Sequence, residues 1–373
     1  MFRLSNLLKS TVEGKKSRTL NGSILIWNFT NRCNLSCLHC YSKASLESND
    51  TLTTKKIFET IPKLKKAGIK FVIFSGGEPL TRRDIFDIAK AFRDEGISTY
   101  LSTNGLYIHK SNVKKIIDTF GYIGISIDGE REIHDRFRGL AGSYDMSLKA
   151  IDLIHENEGR VGIRFTITKE TKDSLSHIFS LAEEKGIDKI YISHLVYSGR
   201  GLDNLKMDID KEERRKSVEF IIDKAFKYYK EGVDIDIVTG NMEMDAILFL
   251  ERFSKEYPDK KEALLDKLKK WGGNSAGRNL VNINSEGDVK PDPFFPVKVG
   301  NIFERDFDKI WQDENNELLR KLRKFPRDLK GKCENCPFLE ICNGGSRPRA
   351  WAISGDLWQE DPSCYINLNK DGV

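Results

Sequence analysis

Seven cysteines carry most of the chemistry this sequence could perform, and they fall in two groups. Cys33, Cys37 and Cys40, in CNLSCLHC, are spaced C-x3-C-x2-C. Three thiolates are one short of a closed tetrahedral zinc site. They are also one short of the four that usually hold a [4Fe–4S] cube, so one iron would stay open to bind and activate a small molecule. His39 sits between two of these cysteines and is badly placed to share their metal. The second group, Cys333, Cys336, Cys342 and Cys364, reads C-x2-C-x5-C-x21-C and is a complete ligand set. It suits a closed centre, either zinc or a second [4Fe–4S] cluster. An odd number of cysteines bunched at two ends is a poor disulfide framework and points to metal.

The elements that must position these thiols alternate. SILIWNF (23–29) is a β-rich run that delivers the chain to Cys33, and helical and strand patterns then take turns up to about residue 197. Six short, β-branched, nearly continuous apolar strands predict a parallel sheet buried on both faces. Glycines such as Gly68, Gly96 and Gly186 mark helix ends. The loops FSGGEP, LSTNG, SIDG and HLVYSGRG each put small and polar residues just after a strand, where a (β/α) barrel builds its active site. The expected fold is therefore α/β: a partial (β/α)6 TIM-like barrel, open on one side. The expected division is an N-terminal segment (1–22), the barrel (23–200), a helical connection (201–271) and a C-terminal cysteine domain (272–373). Within the connection, 209–231 and 242–270 read as helices and 233–239 as a possible strand. NLVNI and DVK around SEG read as a hairpin.

The triad, with Tyr41 directly after it, resembles the signature of the radical SAM superfamily. SGGEP (75–79), STNG (102–105) and SIDG (126–129) follow in order, each at a strand end, and resemble that superfamily's next motifs. The resemblance implies that Cys33, Cys37 and Cys40 hold a [4Fe–4S] cluster whose open iron chelates S-adenosylmethionine, and that one electron then yields a 5′-deoxyadenosyl radical. It implies a cofactor site built from Tyr41, Gly76, Gly77, Glu78, Asn104 and Ser126. The glycines permit close backbone approach, and Glu78 could accept hydrogen bonds from an ammonium group. Asp128 either joins that site or caps the next turn. Arg164, charged within an apolar strand, either pairs with the cofactor carboxylate or snorkels at the surface. The C-terminal cysteines resemble SPASM and twitch extensions, which implies a second, auxiliary [4Fe–4S] cluster on Cys333, Cys336, Cys342 and Cys364. Where SPASM proteins carry a further cysteine after the hairpin, this chain has Asp292 nearby, which argues against a third cluster and leaves Asp292 as a weak oxygen ligand.

MFRLSNLL, HLVYSGRG, GGNSAGRNLVNINSEGDV and CNGGSRPRAWAISGDLWQEDPSC together resemble radical SAM enzymes that trim side chains from modified tetrapyrroles. These are the NirJ type of haem d1 biosynthesis and the 12,18-didecarboxysiroheme deacetylases. The first implies loss of propionate side chains from 12,18-didecarboxysiroheme, and the second loss of acetate carboxyls as carbon dioxide. The implied substrate is a siroheme-derived iron tetrapyrrole with several carboxylates. Arginines bind carboxylates bidentately, so Arg278, Arg347 and Arg349 are expected to bind substrate, and Arg200 and His194 to serve the reaction. For His194 the options are substrate contact, axial iron ligation, proton donation or a structural role. His134 is expected to position a loop. A peptide maturase and a non-catalytic iron–sulfur electron carrier remain as other readings. The expected electron donor is ferredoxin or flavodoxin, and the first cluster is expected to be oxygen-sensitive. A net charge of +5, dispersed over mixed-sign stretches, carries no nucleic-acid-binding tail. No apolar run reaches the ~20 residues of a membrane span, and no secretory signal is read at the N-terminus, so a cytoplasmic location is expected.

Overall fold

The computed structural model describes residues 1–16 and 22–367. Residues 17–21 of the expected N-terminal segment and 368–373 of the expected C-terminal domain lie outside the described residues. The strands among the described residues form one sheet: β1 (Phe2–Arg3), β2 (Ser23–Asn28), β3 (Ile69–Ser75), β4 (Ser98–Thr103), β5 (Ile123–Ser126), β6 (Val161–Ile167), β7 (Lys189–His194), β8 (Asp236–Gly240), β9 (Leu280–Ile283), β10 (Asp288–Lys290) and β11 (Gly300–Asn301).

Strands β2 to β8 lie side by side in chain order, all parallel. A doubly wound sheet reverses its order at a switch point; this one never does, so it curls as a barrel does. Six strand–helix units carry the chain from β2 to β7, and β8 follows. The sheet stays open, edged by β1, antiparallel to β8, and by β11. Strand β9 adds in parallel to β2 and continues into the antiparallel pairs with β10 and β11. The sheet thus runs on across residue 271, where the composition changes.

Local sequence explains the crossovers. In helix Thr54–Lys66, Thr53 Oγ1 accepts from the Lys56 N–H at 3.2 Å, Ile57, Ile61 and Leu64 form the buried stripe, and three lysines sit in the last turn. Helix Lys211–Glu231 opens with a reciprocal capping box between Asp210 and Glu213. The single helix expected over 242–270 is two, Asp245–Glu256 and Lys261–Trp271, broken at Pro258.

Strand alternation corrects the expectation of a sheet buried in apolar contacts on both faces. In β6 the outward residues Val161, Ile163, Phe165 and Ile167 are buried under helices. The inward Arg164 and Thr166 face a cavity. Likewise Val72 and Phe74 of β3 pack outward while Ile73 and Ser75 line the cavity. Stacked rings fix the end of β2: Phe29 lies 4.8 Å from Trp27 and 4.5 Å from Phe74, centroid to centroid. That stack anchors the loop that carries the first three cysteines. No helix among the described residues is long and apolar enough to cross a membrane.

Candidate active site

The inward strand faces and the segment after β8 enclose a cavity of about 880 Å³, at the upper end of the usual range for ligand sites. Cys33, Cys37 and Cys40 line its wall at the strand C-terminal end. Their loop is held from three sides. The Gly77 and Glu78 N–H groups donate to the carbonyls of Thr30 and Arg32, both at 2.8 Å. Arg200 donates from Nε to the Cys37 carbonyl (2.7 Å) and from Nη1 to that of Ala44 (3.1 Å). Arg138 Nη1 lies 3.6 Å from Cys37 Sγ and ion-pairs with the fully buried Asp128.

The glycines of the first motif serve this packing. A Cβ on Gly76 would lie 2.3 Å from the Thr30 oxygen, and one on Gly77 2.3 Å from the Arg32 oxygen. Their close approach is to the cysteine loop, and both also line the cavity. Gly77→Ala is therefore expected to cost roughly 1–3 kcal/mol and to lower iron bound at the first site. Denaturation of the cluster-loaded protein with iron analysis checks this, and a variant with normal stability and iron would contradict it.

Glu78 differs from its expected role. Its carboxylate accepts from the Leu80 and Asn104 N–H groups (3.0 and 2.8 Å) and from Thr103 Oγ1 (2.9 Å to each oxygen). It is fully buried, and burial pushes its pKa up to about 7. These protein donors tie the loop after β3 to the loop after β4, so the carboxylate is not offered to an ammonium group. Asp128 is likewise taken by Arg138 and the Thr166 N–H (2.8 Å) rather than by a cofactor or a turn cap. His134 does position a loop, since its Nδ1 accepts from the Asp128 N–H at 3.1 Å. Tyr41, Asn104, Ser126 and Arg164 line the cavity. Tyr41 Oη is 3.3 Å from Ser75 Oγ, and Asn104 Nδ2 donates to Asn34 Oδ1 at 2.9 Å. The Arg164 guanidinium lies 4.7 Å from the centre of the Tyr191 ring, facing the cavity rather than the protein surface.

Two expected substrate arginines are structural. Arg347 and Arg349 are fully buried and neither lines the cavity. Arg347 Nη1 donates to the carbonyls of Leu357 and Gln359 (2.9 and 2.5 Å). Arg349 pairs with Asp361 through Nε and Nη2 (3.0 and 2.8 Å) and donates to the Leu195 carbonyl (3.1 Å), joining the C-terminal segment to the end of β7. Buried guanidinium groups need this many acceptors, which is why SRPRA turns inward. Arg278 does line the cavity, held by the carbonyls of Trp271 and Gly272.

His194 lies at the cavity wall with both ring nitrogens engaged. Arg214 Nη1 donates to Nδ1 at 3.1 Å, since arginine can only donate; Nε2 therefore carries the proton and donates to Asp245 Oδ2 at 3.3 Å. Burial lowers its pKa, keeping the ring neutral. Neither nitrogen is left to ligate iron or to donate a proton to a substrate. Arg200, engaged with loop carbonyls, is likewise a positioning residue. Arg138 escaped the sequence reading because its partner sulfur lies 101 residues away, where no local pattern points.

Cys333, Cys336, Cys342 and Cys364 together line a second, small cavity beside Met244 and Ile247. Gly273 packs against this loop, where a Cβ would meet the Cys342 carbonyl at 2.3 Å. Burial pushes Cys33 up to about 12 and Cys333 up to about 11. Thiols in such places stay protonated unless a metal cation displaces the proton. Asp292, also at the main cavity, is buried, with the Phe294 N–H donating to Oδ1 at 2.8 Å. Burial, helped by the charge of Glu243, pushes it from its usual 3.8 to about 7. Such a group binds more protons folded than unfolded between those values, so it weakens the fold as pH rises through that window. Asp292→Asn is expected to flatten the pH dependence and raise the melting temperature at pH 8 more than at pH 4. Equal shifts at both would contradict this.

A partial barrel with three thiols on the loop after its first parallel strand is the architecture of a radical SAM enzyme, and the chain belongs to the radical SAM superfamily. That superfamily's model matches residues 27–182, and the model of an iron–sulfur cluster-binding domain, SPASM, matches 275–337. The chain is 37% identical to pre-heme d1 synthase of Dinoroseobacter shibae, over 100% of this chain and 94% of that protein. It is 35% identical to Fe-coproporphyrin III synthase of Methanosarcina barkeri, over 100% and 99%. Its fold is similar to that of SuiB of Streptococcus suis bound to S-adenosylmethionine, with a TM-score of 0.72 and 20% identity over 92% of this chain and 77% of that one.

Proposed function

We propose that this enzyme removes propionate side chains from 12,18-didecarboxysiroheme, on the way to haem d1. The observation that carries the reading is the full-length likeness to pre-heme d1 synthase. A cavity of about 880 Å³ reaching the cysteine loop is in keeping with a macrocyclic substrate.

The residues fit the cofactors that the reading requires. Cys33, Cys37 and Cys40 would hold the first [4Fe–4S] cluster with one iron open, and the four later cysteines an auxiliary one. Four thiols surround one cavity, a complete ligand set for a closed centre. When bound, the first cluster and S-adenosylmethionine supply a 5′-deoxyadenosyl radical that takes a hydrogen atom from the substrate. The chain positions and shields this chemistry. Arg138 and Arg200 hold the cysteine loop, Arg164 and Ser126 offer groups to the cofactor carboxylate, and Tyr41 and Asn104 complete the wall. A low-potential donor such as ferredoxin or flavodoxin would supply electrons, in the cytoplasm.

A second reading, loss of two whole acetate side chains rather than of their carboxyls alone, draws on the 35% identity to Fe-coproporphyrin III synthase, because a coproporphyrin keeps one methyl where loss of carbon dioxide would leave two. One experiment separates them. Reconstituted protein is incubated anaerobically with S-adenosylmethionine, reductant and 12,18-didecarboxysiroheme, and the tetrapyrrole is weighed by mass spectrometry. Loss of propionate-derived mass supports the proposal, and loss of two acetate side chains supports the second reading. An unchanged tetrapyrrole beside abundant 5′-deoxyadenosine sinks both.

A further inference from the structure

The cavity has two chemically different ends. The cysteine loop closes it at the strand C-terminal end. At the opposite end, where β2 and β9 begin, its wall includes Ile24, Leu280, Lys267, Lys270 and Arg278. Lys267 and Lys270 lie three residues apart on helix Lys261–Trp271, so they share a helix face. Like charges so placed repel unless an anion lies between them.

These cations lack carboxylate partners among the described residues. Lys267 Nζ donates to Ser10 Oγ (3.1 Å) and the Lys15 carbonyl (2.9 Å), both uncharged. Arg278 donates only to the Trp271 and Gly272 carbonyls, both at 3.1 Å, and its buried Nε has no acceptor. By contrast Arg3, which also lines the cavity, is neutralised by Asp236 at 2.8 Å. The two cavity carboxylates make their contacts elsewhere. Glu243 Oε1 accepts from Asn274 Nδ2 at 3.1 Å and Asp292 accepts from backbone N–H groups, and neither is ion-paired with these three cations. One end of the cavity thus presents three cations with no carboxylate in contact among the described residues, at the opposite end of the strands from Cys33, Cys37 and Cys40.

We propose that Lys267, Lys270 and Arg278 form a carboxylate-binding rim that holds the acidic arms of the substrate remote from the side chain being cut. This rests on the tetrapyrrole reading above. A macrocycle with carboxylates around its edge can meet both ends of one cavity, so anchoring its far arms at the rim brings a chosen arm to the cysteine end. The rim would then select which side chain reacts, by orientation rather than by contact with it.

Equilibrium binding tests the rim without turnover. Cluster-loaded protein is titrated anaerobically with 12,18-didecarboxysiroheme, without S-adenosylmethionine or reductant, following the tetrapyrrole absorbance. Lys267→Gln/Lys270→Gln and Arg278→Gln are each expected to bind about tenfold more weakly or worse, and with a shallower salt dependence. Lys267→Arg/Lys270→Arg, which keeps both charges, is expected to bind within about threefold of the unsubstituted protein. Unsubstituted protein that binds no tetrapyrrole overturns the substrate reading and the rim together. Normal binding by the glutamine variants, given binding by the unsubstituted protein, overturns the rim alone. Normal binding joined to slower reduction by flavodoxin would also overturn it, in favour of a docking face for an acidic donor.

Discussion

Alanine at Cys33, Cys37 or Cys40 is expected to abolish 5′-deoxyadenosine formation and to remove about half of the bound iron, roughly four of eight atoms per chain. All three thiols line one cavity at the strand ends, and their loop is fixed by Arg138, Arg200 and the glycine pair. Losing one ligand from an already three-coordinated cluster leaves two irons open. Alanine at Cys342, whose thiol lines the other cavity, is expected to remove the other half of the iron and to leave the first cluster able to cleave S-adenosylmethionine. Iron and sulfide analysis beside chromatography of the nucleoside product checks both. Full iron and turnover in a triad variant would refute the cluster assignment. Loss of all iron in the Cys342 variant would show that the two sites assemble as one unit.

Arg349→Ala is the substitution outside the cysteines with the largest expected cost, roughly 3–5 kcal/mol. Arg349 and Asp361 are both essentially inaccessible and bonded through two contacts. Burial alone would raise the Asp361 pKa, but the guanidinium outweighs it and holds the carboxyl below its usual value. Without Arg349 the carboxylate stays buried and unpaired, and the Leu195 carbonyl loses its donor. In the variant burial is left as the main influence on that carboxyl and pushes its pKa up, so the variant regains stability as pH falls through the raised value. The difference between Arg349→Ala and the unsubstituted protein should therefore narrow in acid. Asp361 lies three residues before Cys364 and its Oδ2 accepts from the Ser346 N–H at 2.8 Å, so the auxiliary iron is expected to fall as well. Denaturation of the cluster-loaded protein at pH 7 and pH 5 provides the test. A cost below about 1 kcal/mol at pH 7 would mean that the pair contributes little to docking the C-terminal segment.

The cysteine groups, the six strand–helix units and the hairpin after residue 279 were legible in the chain itself. Each depends on short-range pattern: ligand spacing, a period of 2 or 3.6, a glycine at a turn. The parallel alternation predicted a barrel through the composition of its strand ends, and the unbroken strand order agrees. The fates of charged side chains were not legible. Arg347 and Arg349, two residues apart in a tail rich in glycine, read as substrate anchors, yet Arg347 is enclosed by backbone carbonyls and Arg349 by carbonyls and the Asp361 carboxylate. Glu78 read as a cofactor ligand, yet Thr103 and Asn104 converge on it from the next strand. Long polar side chains satisfy their hydrogen bonds wherever the fold supplies acceptors or donors, and that supply is a property of which strands become neighbours. The sequence by itself determined the thiols, their grouping and the elements that carry them. Only the tertiary structure decided which charges were consumed in holding the loops and which, such as Arg164, Lys267, Lys270 and Arg278, were left facing the cavity.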